Sequence, residues 1–352
     1  MPISLLKLPS VIRDEVFRNS KCSHLFQLSL CSLRLRKYIE RVKFTIPKLR
    51  YEVTEDRFLV GILRDVCHIE TIATIEEVIC TDQQIKELAL LKDVKIGDGY
   101  YMPTKFHLRI GTNEIPHIFM AVAEINGRMQ SELQKHVTSL FDYCGSNKLK
   151  IDIEELSNKL PNVVNVRDSV LEGWKVDMSV IDAFFKRFPN HRSANIKATI
   201  NGELPENSAL FDIQHISFGN QSSYYFQRFR GRNLVFHKAK LDTSYIIDFL
   251  SKWVHSIAYH DLETLTVLFN LGFSISKGSI LEAFETKQYD SLNPLDWPES
   301  FLCDPKIIGY RQRHIPLRNE MFFEIKRKND GRKGYINFED GDFELFVPNI
   351  TE

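Results

Sequence analysis

The chain has 352 residues, of which 43% are hydrophobic and 26% charged, with 46 Lys and Arg against 46 Asp and Glu. That composition belongs to a folded globular chain of roughly two domains, and it excludes long disorder, a collagen-like repeat and a membrane-embedded bundle. The zero net charge excludes a global basic field for nucleic acid and leaves only local patches.

Residues 1–6 are apolar, but Lys7 and then Arg13, Asp14 and Glu15 break the run before a secretory h-region forms. No apolar run approaches the length that spans a bilayer; residues 118–123 are among the longest. Leu8-Pro9 opens the first predicted helix, with proline at a first-turn position where its missing N–H costs little. Leu8, Val11, Ile12 and Val16 keep helical spacing. Ser23 is the expected cap of a second short helix carrying Leu25, Phe26, Leu28 and Leu30. Ser32 is expected to cap a third, with Leu35, Tyr38, Ile39 and Val42 on one face. Of the 40 residues from Ile3 to Val42, 19 are apolar, more than so small a piece can hide by itself. The surplus needs cover from the rest of the chain or from another protein. Residues 34–50 also gather Arg34, Arg36, Lys37, Arg41, Lys43, Lys48 and Arg50 against Glu40 alone. That is either a solvated helix face or a patch for an acidic partner or a nucleic acid backbone.

After Val42 the pattern becomes strand-like alternation. Strands are expected at 44–53 and 106–110, and a buried strand or short helix at 118–125. Leu133, Val137, Leu140 and Phe141 mark a helix with Gly145 as its C-cap. Leu149, Ile151 and Ile153 alternate along a strand over 148–153. A looser unit then recurs: a helix through Val180, Phe184, Phe185 and Phe188, and strands near 196–200, 210–218 and 234–236. Asp242 or Thr243 caps a helix with Ile246, Ile247, Phe249, Leu250, Trp253 and Val254 buried, leading into a strand within 262–269. The strand spacing of about 20 to 30 residues is that of strand–helix repeats. Near the carboxyl end, Asn329-Asp330-Gly331 is a turn signal flanked by Lys326, Arg327, Lys328, Arg332 and Lys333.

Chemistry-bearing motifs are missing: there is no phosphate loop, no GxGxxG, no GxSxG elbow and no HExxH. His255 and His260 stand five apart, off one helix face. Cys67 and His68 are adjacent and point apart, and the carboxylate pairs Glu76-Glu77 and Glu154-Glu155 read as solvated faces. The six cysteines, Cys22, Cys31, Cys67, Cys80, Cys144 and Cys303, form no CxxC pair. They are expected to be reduced thiols in a cytoplasmic or nuclear protein. In that compartment the sequons at Asn220 and Asn349 are chance matches.

The run Leu5-Leu6-Lys7-Leu8-Pro9-Ser10-Val11-Ile12-Arg13-Asp14-Glu15-Val16, followed by Leu25-Phe26-Gln27-Leu28-Ser29-Leu30-Cys31-Ser32, resembles an F-box. In that family Leu-Pro opens a helix and an apolar Leu-x-x-Leu-Ser-x-Cys-Ser helix follows. Phe26, the run from Ser29 to Ser32 and the basic residues Arg34, Arg36 and Lys37 are similar to the nematode-type F-box. Ser10-Val11 departs from it where many members turn acidic, and Leu33 where many carry Lys or Arg. The resemblance covers 2–43. It implies docking on the Skp-type adaptor of a cullin–RING ubiquitin ligase through Leu8, Pro9, Ile12, Val16, Leu25, Phe26, Leu28, Leu30 and Cys31. Some of these must instead hold the helices together.

Further on, Phe249-Leu250-Ser251-Lys252-Trp253-Val254 and Leu262-Glu263-Thr264-Leu265 resemble the F-box-associated domain that follows such F-boxes. His136-Val137-Thr138-Ser139-Leu140-Phe141 and the carboxyl-terminal strands, with Asp330-Gly331 between two of them, are similar to it as well. The expected fold is α/β, α+β overall. An F-box at 2–43 is followed by a mixed strand and helix region at 44–130. A leucine-rich-repeat-like recognition domain at 131–348 ends in a β-meander. The implied function is the substrate-recognition subunit of an SCF-type ubiquitin ligase. It would act by proximity, with no catalytic residue, cofactor or metal of its own. Its implied partners are the Skp-type adaptor, through it a cullin, and a protein substrate, with no membrane and no nucleic acid expected. The alternative is a protein- or nucleic-acid-binding scaffold without a ligase role.

Overall fold

The change from helical spacing to alternation at Phe44 sets the architecture: three helices come first, and a mixed α/β fold follows. The computed structural model describes residues 5–64, 68–77, 92–96, 100–106, 117–121, 125, 127–143, 145–154, 160–219, 223–270, 272–303, 314–339 and 342–348. It divides into two units, Met1–Arg167 and Asp168–Glu352. The boundaries expected at 43/44 and 130/131 both fall inside the first unit.

After a 3-10 turn at Leu5–Lys7, the first unit runs α1 (Ser10–Arg18), α2 (Cys22–Cys31), α3 (Leu33–Val42), β1 (Phe44–Ile46), β2 (Leu49–Val53), β3 (Arg57–Leu63) and β4 (Ile69–Glu77). It continues with β5 (Lys92–Ile96), β6 (Tyr100–Phe106), β7 (His117–Ala121), α4 (Gly127–Leu140), β8 (Phe141–Tyr143) and β9 (Asn147–Asp152). Its sheet is ordered β9-β2-β3-β4-β7-β6-β5. The β2–β9 and β4–β7 pairs are parallel and the others antiparallel. In β2 the alternation predicted from sequence holds, with Leu49, Tyr51 and Val53 buried.

The single strand expected at 44–53 is two strands, because Pro47 has no N–H for a ladder. β1 pairs instead with β8. Phe141 belongs to β8 rather than to the preceding helix. Gly145, with φ +73, therefore turns the chain after a strand and is not a helix C-cap. The expected strand at 106–110 overlaps the end of β6 at Phe106, and 107–110 lie outside the described residues. So do 122–124 of the segment expected at 118–125, and Glu155.

The second unit opens on β10 (Val166–Glu172), β11 (Lys175–Asp177), α5 (Met178–Arg187), β12 (Ser193–Ile196), β13 (Thr199–Asn201), a 3-10 turn (Ala209–Asp212) and β14 (His215–Phe218). Next come α6 (Ser223–Arg228), β15 (Asn233–Ala239), α7 (Thr243–Val254), β16 (Thr264–Phe269), α8 (Lys277–Ala283), β17 (Thr286–Gln288) and a second 3-10 turn (Pro294–Asp296). It ends with β18 (Ser300–Leu302), β19 (His314–Pro316), β20 (Phe322–Lys326), β21 (Lys333–Asn337) and β22 (Phe343–Phe346).

Strands β10, β12, β14, β15 and β16 are parallel and adjacent in chain order. Antiparallel β22, β21, β20 and β17 continue the sheet, so its last part is a meander. Leu171, Ile196, Phe218, Phe236 and Val267 form one in-register apolar row, with Phe218 and Phe236 stacked at 5.2 Å. Phe226 links that row to α7, 5.5 Å from Phe236 and 5.1 Å from Phe249.

Asp242 caps α7 as expected, accepting from the backbone N–H of Ser244 at 2.8 Å and of Tyr245 at 3.3 Å. The strand expected near 196–200 is split between β12 and β13. The one expected at 210–218 is a 3-10 turn followed by β14. Just after this turn the chain passes close to Gly231. A Cβ there would collide with the carbonyl oxygen of Ile213, so the turn before β14 needs glycine opposite it.

Candidate functional site

The three amino-terminal helices carry the residues that sequence marks for docking, except Leu8 and Pro9, which lead into α1. Pro9 sits at the N-cap of α1, one place earlier than a first-turn position. Ser23 does not cap α2: Lys21 is at the N-cap, and Ser23 lies inside the first turn. Its backbone N–H is satisfied from a distance, donating to Glu70 Oε1 of β4 at 2.9 Å. An acidic group at a helix start is favourable both as acceptor and against the helix dipole. Glu70 also accepts from Arg64, at 2.5 Å and 3.1 Å. Burial pushes the Glu70 carboxyl upward, but the Ser23 N–H and Arg64 overcome it and hold the group below the usual carboxylate range. Next to this pair Cys22 is buried, and burial, then the Glu70 charge, push its thiol up to about 11. It is an inert thiol. Ser32 caps α3 as expected, accepting from Arg34 N–H at 3.3 Å.

The inner face of the helices is fixed by aromatic contacts. Phe26 meets Phe119 of β7 edge-on at 6.3 Å and His136 of α4 at 5.4 Å. Ser29 donates to Phe26 O at 2.6 Å, so its oxygen accepts from His136 Nε2–H at 2.9 Å. This fixes the tautomer of a ring whose pKa is pushed down to about 3, by burial first and Arg36 second. Phe17 of α1 lies 5.3 Å from Tyr38 of α3, and Arg13 and Arg41 stack on Tyr38 at 4.1 and 4.9 Å. Ser139 of α4 donates to Glu40 of α3 at 3.1 Å.

The predicted docking residues therefore separate into two groups. Leu25 and Phe26 are fully buried in the first unit and are core residues. Leu8, Leu28 and Leu30 are half-buried, while Pro9 and Cys31 are exposed. Ile12 is 51% and Val16 39% exposed, and both lie on one stripe of α1. Val11 at 78% and Leu33 at 64% exposed join the uncovered set, although sequence did not mark them for docking. The signal for Leu33 was its departure from a basic residue. Val11 was visible as an apolar residue on the same helical spacing as Leu8, Ile12 and Val16. Of the basic residues, Arg36 pairs with Glu40 at 2.7 Å and Arg50 with Glu52 at 2.6 Å. Arg34, Lys37 and Arg41 line one exposed face of α3.

The second unit holds a polar feature that sequence reasoning missed. Asp168, Ser193, His215, Asn233 and Thr264 lie in register across five parallel strands, and all are buried. Ser193 donates to Asp168 at 2.6 Å, Thr264 donates to Asn233 Oδ1 at 2.7 Å, and Asn233 Nδ2 donates to His215 Nδ1 at 2.8 Å. The file holds a serine, a histidine and an aspartate; Ser193 donates to Asp168, which also accepts from Arg192 at 3.0 Å and 3.1 Å. At the strand entrances a polar cavity of about 430 Å³ closes on ion pairs, Arg230 with Asp212 at 2.6 Å and Arg232 with Glu263.

Among the described residues, no group of three or more His, Cys, Asp or Glu side chains could hold a metal ion, and no helix is long and apolar enough to cross a membrane. Cys67, Cys80 and Cys144 and the sequon residues Asn220 and Asn349 lie outside the described residues. The chain matches no protein-family model, no curated protein and no solved structure.

Proposed function

We propose that the chain is the substrate-recognition subunit of a cullin–RING ubiquitin ligase, its amino-terminal helices docking on a Skp-type adaptor and its second unit holding the protein to be modified. One observation carries the proposal: Val11, Ile12, Val16 and Leu33 stay uncovered, together with exposed Pro9 and Cys31, within the stretch that resembles an F-box. The rest of the first unit covers Leu25, Phe26 and Phe17 and leaves Val11, Ile12, Val16 and Leu33 bare. Uncovered apolar residues beyond scattered single ones mark protein interfaces. For the second unit we propose a leucine-rich-repeat-like recognition body. Its parallel strands begin at Val166, Ser193, His215, Asn233 and Thr264 and lie side by side in chain order, as stacked strand–helix repeats do. Catalysis would be by proximity, raising the local concentration of substrate lysines at a charged conjugating enzyme.

The test is capture of a purified Skp-type adaptor by the full chain and by the Ile12→Asp, Val16→Asp double variant. The variant is expected to fold as the parent does and to lose the adaptor; undiminished capture overturns the reading. The second reading, a nucleic-acid-binding scaffold, rests on exposed Arg34, Lys37 and Arg41. It is favoured if RNA binds with a steep salt dependence while the adaptor does not bind.

A further inference from the structure

The second unit has a cavity of about 550 Å³, with walls from the α7 residues Ile247, Ser251 and Val254, from residues 283–287, and from residues 324–328. Ligand pockets span about 300–1,000 Å³, so this one has room for a large side chain and the backbone on either side of it. Its floor is apolar: Ile247 and Phe284 are half-buried, and Val254 and Ile325 are buried.

The lining carries four cations, Lys287, Lys326, Arg327 and Lys328, against the carboxylates Glu285 and Glu324, and the cations differ in how far they are already committed. Arg327 is buried and held by Asp330 at 3.2 Å, by the carbonyls of Tyr259 and His260 at 3.3 Å, and by the Trp253 ring at 4.9 Å. It is a structural group. Lys326 shares the buried carboxylate of Glu324 with Lys333, at 3.4 and 2.8 Å, so two ammonium groups face one anion. Lys287 reaches Asp296 at 3.2 Å in an exposed pair, which water screens.

Lys328 has no carboxylate partner among the described residues. Its ammonium stands 3.0 Å from His255 Nε2. His255 Nδ1 lies 2.8 Å from the carbonyl of Ser251 and donates to it, which leaves Nε2 to accept from the Lys328 ammonium. An ammonium whose side-chain partner is an imidazole nitrogen and not a carboxylate, at the mouth of an apolar cavity, is a ready seat for an incoming carboxylate.

We propose that this cavity binds an acidic peptide segment of a partner protein. One leucine-sized side chain would fill the floor, and carboxylates on either side would meet Lys326, Lys328 and Lys287. An inorganic anion would leave the floor empty, and a plain apolar segment would leave Lys328 without a carboxylate. Calling that segment part of a ubiquitination substrate rests on the function proposed above. The measurement does not, because it uses the chain without any adaptor.

The experiment is fluorescence anisotropy of a labelled peptide, Asp-Glu-Asp-Leu-Glu-Asp-Glu, titrated with the full chain. Saturable binding is expected. Lys328→Glu, at an exposed position, should weaken it by about tenfold or more, and Lys326→Gln, which leaves Glu324 paired with Lys333, by about threefold or more. Ala283→Trp, which fills the cavity from an exposed wall position, should do the same. Lys186→Glu on α5, away from the cavity walls, should leave it unchanged. A peptide with serine in place of leucine should bind about fivefold or more weakly, from the lost apolar burial. Absence of saturable binding at millimolar chain, or equal binding by Lys328→Glu or by the serine peptide, overturns the proposal. Equal competition by tripolyphosphate or by polyuridylate RNA also overturns it, since the site would then accept any polyanion. Failure of this titration leaves adaptor docking untouched, and failure of adaptor capture leaves this titration standing.

Discussion

Leu25→Asp and Ile12→Asp carry the same chemical change into the two groups that the docking residues form. Leu25 is 1% exposed, so its replacement forfeits the burial of a leucine, about 1.5–3 kcal/mol. The new carboxyl has no evident partner at that site, and even as the neutral acid it costs about 1–3 kcal/mol more. The sum is roughly 3–6 kcal/mol, a large share of a domain's stability, and it should lower the Tm of the first unit by about 10 °C or more. Ile12, half in solvent, behaves as a surface position, where substitutions stay within about 0.5 kcal/mol and Tm moves by about 2 °C or less. Its effect should fall on binding. The uncovered half of the isoleucine is worth about 1 kcal/mol of burial, and desolvating a carboxylate adds at least as much, so adaptor affinity should drop by about thirtyfold or more. Scanning calorimetry and adaptor titration of both variants make the test. A Leu25→Asp protein that melts like the parent but does not bind refutes the division into core and surface. So does an Ile12→Asp protein that melts as early as Leu25→Asp.

Two further outcomes are expected. His136 is held neutral with a pKa of about 3, below its ordinary 6.5, so the unfolded chain binds the proton first. Stability is full above the ordinary value and is lost as pH falls from there toward 3. His136→Gln keeps a donor for Ser29 and cannot titrate. Its Tm should fall less between pH 7 and 5 than the parent's, and equal slopes would refute the assignment. The half-buried His191 and His237, also shifted down by burial, leave it a residual slope. Gly231→Ala should lower the Tm of the second unit by overpacking of about 1–3 kcal/mol against Ile213. An unchanged melting curve would contradict the close approach.

Sequence showed the order of helices and strands wherever apolar spacing is long and regular. The three short helices, α7 with its Asp242 cap and the turn at Asp330-Gly331 are of this kind. It failed where a distant residue decides the local outcome. Ser23 looks like a cap, but Glu70, 47 positions away, takes that role. Leu25 and Ile12 read alike on the chain, and only the packing of α2 against the sheet, at β4 and β5, makes one core and leaves the other bare. The file from Asp168 to Thr264 has no local signature, because its members are spaced by whole strand–helix units and meet only in register.

The carboxyl-terminal meander has a consequence for the time course of synthesis. β16 ends the parallel array, and β22 covers its outer edge. That cover is made about 75 residues later along the chain. At about 5–20 residues per second, the ribosome needs roughly 4 to 15 seconds to deliver it. Through that interval the last parallel strand would present an open row of backbone donors and acceptors, so the nascent chain depends on a holdase or on rapid pairing of β22 to avoid joining its neighbours edge to edge.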